Sequence, residues 1–157
     1  MITGVYGSTI ISYLTLEEKR IHTAVDASKI LYLFKFTNDL TKTVKYSYGR
    51  KTSTNERYVK NDFYHNTTEN IFTNRINFKP YGFWKYEVYE VSWLGTVDLT
   101  AETAPATETH ILEVGVDNGV VQGKVEEGKL YVQETAGSEQ IKYTKHTTTE
   151  TNYLYTN

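Results

Sequence analysis

The residues able to do chemistry in this chain are few and scattered. Its four histidines, His22, His65, His110 and His146, stand far apart, and none has a second histidine two or four positions away, the spacing at which a strand or a helix turns two imidazoles toward one metal ion. Cysteine is absent, which removes thiolate ligands, thiol nucleophiles and disulfides together. His65, close to Asp62, is the best-placed acid–base candidate, yet no nucleophile elbow, phosphate-binding loop, dinucleotide fingerprint or HExxH pair accompanies it. Asp117-Asn118-Gly119 lacks the alternating carboxylates and closing glutamate of a calcium loop. The chain is therefore expected to carry no catalytic residue, no metal ligand and no cofactor.

What remains for recognition is aromatic. The chain holds 14 Tyr, 6 Phe and 2 Trp against a single Met, in a Thr-rich background, a composition that suits a pleated sheet with one wet face. In the stretch Arg75 to Trp93, Trp84, Tyr86 and Val88 alternate with Lys85 and Glu87, so Tyr89 falls on the charged face and is expected to be exposed. Tyr81, Tyr89 and Trp93 could then form a platform for sugar rings.

The elements that must position these side chains are strands. Ile30 to Thr37 places Ile30, Tyr32, Phe34 and Phe36 on one face and Leu31, Leu33 and Lys35 on the other, the pattern of a central strand covered on both sides for part of its length. Asn38-Asp39 turns the chain into Thr43 to Tyr48, completing a hairpin. One short strand, Tyr58 to Tyr64, is expected in the polar region before Asn74. Pro80-Tyr81-Gly82 makes a corner between the runs holding Ile76 and Phe78 and the run that starts at Trp84. Leu94 to His110 reads as a long loop, and Ile111 to Val116, Val120 to Val125 and Leu130 to Glu134 as a meander turned at Asp117-Asn118-Gly119 and at Glu126 to Lys129. Phe34, Phe36, Phe78, Trp84, Tyr86 and Val88 are the expected core.

At 157 residues the chain can hold a sandwich of roughly 100 residues plus arms. The expected division is an extended N-terminal segment over 1–29, a sandwich over 30–134 and a C-terminal arm over 135–157. That arm carries Ile141, Tyr143, Tyr153, Leu154 and Tyr155 in a frame of high β propensity, suited to adding itself to a neighbouring sheet. A formal net charge of -2 gives no drive toward nucleic acid. No segment has the length and apolarity of a membrane span or the pattern of a leader, so a soluble, unprocessed chain is expected.

Two resemblances sharpen this reading. Phe78-Lys79-Pro80-Tyr81-Gly82, followed by Trp84, Tyr86 and Val88, is similar to the corner between strands E and F of immunoglobulin-like and fibronectin type III sandwiches, although Gly82 lies two positions after Pro80 rather than next to it. More broadly, YLFKFTNDLTKTVKYSY, NERYVKNDF, GFWKYEVYE, ILEVG and GKLYV, spanning Leu31 to Val132, resemble small immunoglobulin-like virion structural proteins of tailed bacteriophages. That resemblance implies an all-β, immunoglobulin-like antiparallel β-sandwich with extended N- and C-terminal segments. It further implies a non-enzymatic virion component made in the host cytoplasm, first an auxiliary capsid (decoration) protein that binds other virion proteins, the major capsid protein above all. A place at the head-to-tail junction or in a head or tail fibre is the first alternative, and a carbohydrate-binding module the second. The Tyr/Thr-rich arm, the loop Leu94 to His110 and the polar loop Arg50 to Asn74, with Tyr89 and Trp93, would supply the contacts. Self-association stays open.

Overall fold

The computed structural model describes residues 1–54 and 57–135. Two sheets account for nearly all its regular structure; the remainder is three single 3-10 turns and loops. The larger sheet has five strands in the order β1 (Ile2–Val5), β9 (Val120–Gln133), β8 (Gly82–Ser92), β3 (Ile30–Asn38) and β4 (Val44–Tyr48). The smaller has the order β2 (Ile10–Leu14), β6 (Val59–His65) and β5 (Arg50–Thr54), with the two-residue β7 (Arg75–Ile76) beside the end of β6. Pairing is antiparallel except for β1 with β9 and β7 with β6.

The sheets pack face to face through the alternating residues that the sequence marks as apolar. From the larger sheet come Tyr32, Phe34, Phe36, Trp84, Tyr86, Val88, Leu130 and Val132; from the smaller, Ile10, Val59 and Phe63. Phe63 meets Phe34 and Phe36 edge-on at centroid separations of 4.8 and 5.4 Å, and Phe78 bridges Phe36 at 4.9 Å and Trp84 at 5.7 Å. Phe34, Phe36, Phe78, Trp84, Tyr86 and Val88 are all buried in this cluster. Trp84 donates its indole N–H to the Pro80 carbonyl at 3.2 Å, so the aromatic of β8 pins the corner that precedes it.

Three expectations need correction. The segment 1–29 does not stand outside the sandwich: β1 and β2 form one edge of each sheet, and Ile2, Ile10 and Leu16 belong to the core. β1 carries no signal of its own and β2 only the weak strand run Thr9 to Leu16, because the strands that recruit them, β9 and β6, lie far away in sequence. Second, Glu126 to Lys129 is not a turn. Those residues pair with Lys85 to Val88 along the eleven-residue β8, and register shifts at Val88/Tyr89 and Glu90/Val91 let one strand run unbroken from Val120 to Gln133. Third, Ile111 to Val116 forms no strand. Two of its carbonyls are taken by loop contacts, Gly95 N–H to Val116 O at 2.5 Å and the Asn118 side-chain amide to Glu113 O at 2.9 Å.

Candidate functional site

β3 is apolar on both faces, and the second face explains the long connection between β8 and β9. Leu33, Tyr48, Val91 and Trp93 turn away from the other sheet, and residues 94–119 fold back over them, burying Ala104 and packing Val97 and Leu99 against the cluster. Polar contacts fix this covering loop in place. The Trp93 indole donates to Thr103 O at 3.2 Å, the Tyr48 hydroxyl to Pro105 O at 2.7 Å, and Gly119 N–H to the same Thr103 carbonyl at 2.8 Å. Gly119 lies so close to Trp93 that a Cβ there would stand 2.6 Å from Cζ2.

Glu108 makes the charged attachment. It pairs with Lys35 on β3 and accepts the Tyr46 hydroxyl of β4 at 2.6 Å. Burial alone would raise its pKa; the hydrogen bonds from Lys35 and Tyr46 outweigh that and hold the carboxyl below its ordinary value. Burial and the Glu108 hydrogen bond push the Tyr46 hydroxyl up to about 12, so it remains a donor. Beyond Glu108 a cleft of about 410 Å³ opens between residues 108–112 and the start of β9.

Held in this way, the loop presents apolar side chains to solvent. Ile111 is 90% exposed, Val114 108%, Val116 62%, Val120 57% and Leu94 64%. The Gly95 bond to Val116 and the Thr96 N–H bond to Asp117 Oδ1 at 2.6 Å draw Leu94 to the same end of the molecule as the loop tip. An ordered loop that shows four large apolar side chains, next to Val120 at the start of β9 and after burying others beneath it, is a candidate contact surface.

The residues singled out from sequence fare unevenly. Trp93 is fully buried and cannot belong to an exposed platform; the covering loop that an alternation count cannot place lies directly on it. Tyr89 does share the outer face with Lys85 and Glu87, but it is half-buried against the same cluster. Tyr81 sits at the opposite end of β8, half-buried, its ring 4.9 Å from that of Tyr6. These three aromatics are not brought together. Ile141, Tyr143, Tyr153, Leu154 and Tyr155 lie outside the described residues. His65 packs edge-on against Tyr6 at 4.5 Å, and among the described residues no group of three His, Asp or Glu side chains is arranged to hold a metal. No described helix is long and apolar enough to cross a membrane.

A second surface combines the polar region after Arg50, expected as a contact, with β2. On the outer face of the smaller sheet, Ile11 and Tyr13 of β2 stand opposite Asp62 and Lys60 of β6, and Arg50 of β5 lies opposite Asp62. Tyr13 is 57% exposed and meets Tyr58 edge-on at 5.3 Å; Tyr64 accepts from the Arg50 guanidinium at 3.1 Å. The signal for the β2 part of this surface is the weak strand run Thr9 to Leu16, whose alternation sets Ile11 and Tyr13 on one face.

The chain matches no protein-family model, no characterised protein and no solved structure.

Proposed function

We propose that this protein is a non-enzymatic structural component of a bacteriophage virion, an immunoglobulin-like sandwich that docks on other virion proteins through the tip of its 94–119 loop. Its first partner is the major capsid protein, and its role is that of an auxiliary capsid protein reinforcing the lattice. The observation that carries the docking reading is the exposed apolar set Leu94, Ile111, Val114 and Val116 on a loop tied to the body by hydrogen bonds, with Val120 at the adjoining start of β9.

The strand order supports the immunoglobulin-like reading. Lettered in chain order, β1-β9-β8-β3-β4 corresponds to A′-G-F-C-C′ and β2-β6-β5 to B-E-D, the two sheets of a variable-type domain. In that lettering the corner at Pro80 joins E to F, and the apolar loop is the F–G loop, one of the loops with which variable domains bind. The virion assignment rests on the motifs that run from Leu31 to Val132.

The test is incorporation into particles. Ile111→Asp and Val114→Asp place charges on side chains with almost no contacts, so thermal unfolding should be unchanged while recovery of the protein on purified capsids is lost. Unaltered incorporation of the double variant would refute docking through this loop, and failure of the wild-type protein to copurify with particles would refute the virion reading itself. Copy number per particle then separates a lattice component from one at the head-to-tail junction or in a fibre.

A second reading, glycan binding, moves from Tyr89 and Trp93 to the outer face of β2, β6 and β5, where Tyr13, Tyr58 and Tyr64 alternate with Arg50, Lys60 and Asp62. Glycan-array binding that disappears in Tyr13→Ala would favour it.

A further inference from the structure

The inner face of the smaller sheet has one polar row between two apolar ones. Ile10 stands opposite Phe63, and Leu14 opposite Val59; between these rows Ser12 stands opposite Asn61, and Asn61 opposite Lys51 on the next strand. Ser12 and Asn61 are each 1% exposed. Tyr32, also 1% exposed, approaches this row from the larger sheet, its ring centroid 6.0 Å from Lys51 Nζ. The ammonium of Lys51 is itself engaged, with Glu17 Oε1 at 3.2 Å and Ala27 O at 3.3 Å, which closes the row toward the loop of residues 15–29.

The remaining polar atoms of the row are not engaged. Ser12 Oγ, both Asn61 side-chain heteroatoms and the Tyr32 hydroxyl are buried without a hydrogen-bond partner in the protein. Burial, then the nearby charges of Glu17 and Glu90, raise the Tyr32 pKa, so its hydroxyl keeps its proton and has a bond to donate. Together these groups offer two amide N–H donors, one amide carbonyl and two hydroxyls that can both give and accept. Interior polar groups left unmatched are strongly unfavourable, and native proteins match them with buried water making about three hydrogen bonds apiece.

We propose that this row is an internal water-binding site, in which about one or two water molecules join the Asn61 amide to Ser12 Oγ and the Tyr32 hydroxyl. The water links the two sheets through hydrogen bonds where their apolar packing is interrupted. The Glu17–Lys51 pair and the 15–29 loop above it shut the site from bulk solvent, so exchange requires that loop to open.

Magnetic relaxation dispersion of water oxygen-17 on the full-length protein tests this. Wild-type protein should show waters that reside longer than the molecule takes to tumble, and Asn61→Leu should lose about one such water. Ser12→Ala and Tyr32→Phe, which each delete a single hydroxyl and keep the packing, should shorten the residence time or reduce the amplitude even if Asn61→Leu fails to fold. A wild-type protein without long-lived water, or an amplitude and residence time unchanged in the variants, would overturn the proposal.

Discussion

Gly119→Ala puts the covering loop to a sharp test. In an unstrained loop, replacing Gly by Ala stabilises by about 0.4–1 kcal/mol, because the unfolded chain loses freedom. Gly119 does not have the positive φ that would reverse this, since among the described glycines that conformation belongs to Gly7, Gly82 and Gly123. What opposes the gain is space. The new methyl would lie 2.6 and 2.7 Å from Cζ2 and Cε2 of Trp93 and 3.0 Å from a Val91 methyl, and the Trp93 ring is wholly enclosed. Overpacking of that kind costs about 1–3 kcal/mol, so the net effect should be destabilising and visible in the urea midpoint without a change of slope. The cause can be isolated. Trp93→Phe removes the part of the ring nearest Gly119, so the alanine should be tolerated in that background, with a coupling of about 0.5–3 kcal/mol between the two substitutions. Equal costs of Gly119→Ala in both backgrounds would refute the packing of this loop on Trp93.

Trp84→Ala should cost about 3–5 kcal/mol in urea unfolding, since it empties the centre of the main cluster and removes one of the two donors to the Pro80 carbonyl; a near-neutral result would contradict the register of β8. Glu108 should add an acid limb to the stability profile. Its folded pKa is depressed, so its contribution is complete above the unfolded glutamate value and lost as pH falls through the folded one. The difference in urea midpoint between wild type and Glu108→Gln should therefore shrink between neutral and acid pH, and a constant difference would dismiss the Lys35–Glu108–Tyr46 attachment as a source of stability. Hydrogen exchange supplies another check: amides of β3 and β8 should be among the slowest, while those of 111–118 exchange quickly, because no strand partner protects them.

How much of the molecule could be read beforehand depended on whether a residue's environment is set by its neighbours in sequence. β3 and β8 were legible because alternation over nine and eleven residues leaves one register that buries the apolar face. The hairpin of β3 and β4 was legible because Asn38 closes it locally, its Oδ1 accepting from the Leu40 and Thr41 amides. β1 was not, because its four residues are fixed only by parallel pairing with Leu130 to Gln133. β5 was hidden for a related reason: Arg50 to Thr54 is polar, and it becomes a strand only through its pairing with β6.

The contact surface was hidden by the rule that revealed the strands. Ile111, Leu112, Val114 and Val116 read as one half of a hairpin, and the Asn-Gly pair after them strengthens that reading. Alternation, however, records only that apolar side chains recur; it does not say that the protein's own sheet will cover them. Here β8 already pairs with β9 from Val120 onward, and the 111–118 backbone closes on itself and on Gly95, while the Asp117 carboxylate takes the Thr96 amide. The same apolar residues that would have filled a core are left at the tip of a tethered loop, where burying them needs a second surface. In the sequence a strand of the core and a loop awaiting a partner look alike, and the backbone hydrogen bonds of Val116 and Glu113 distinguish them.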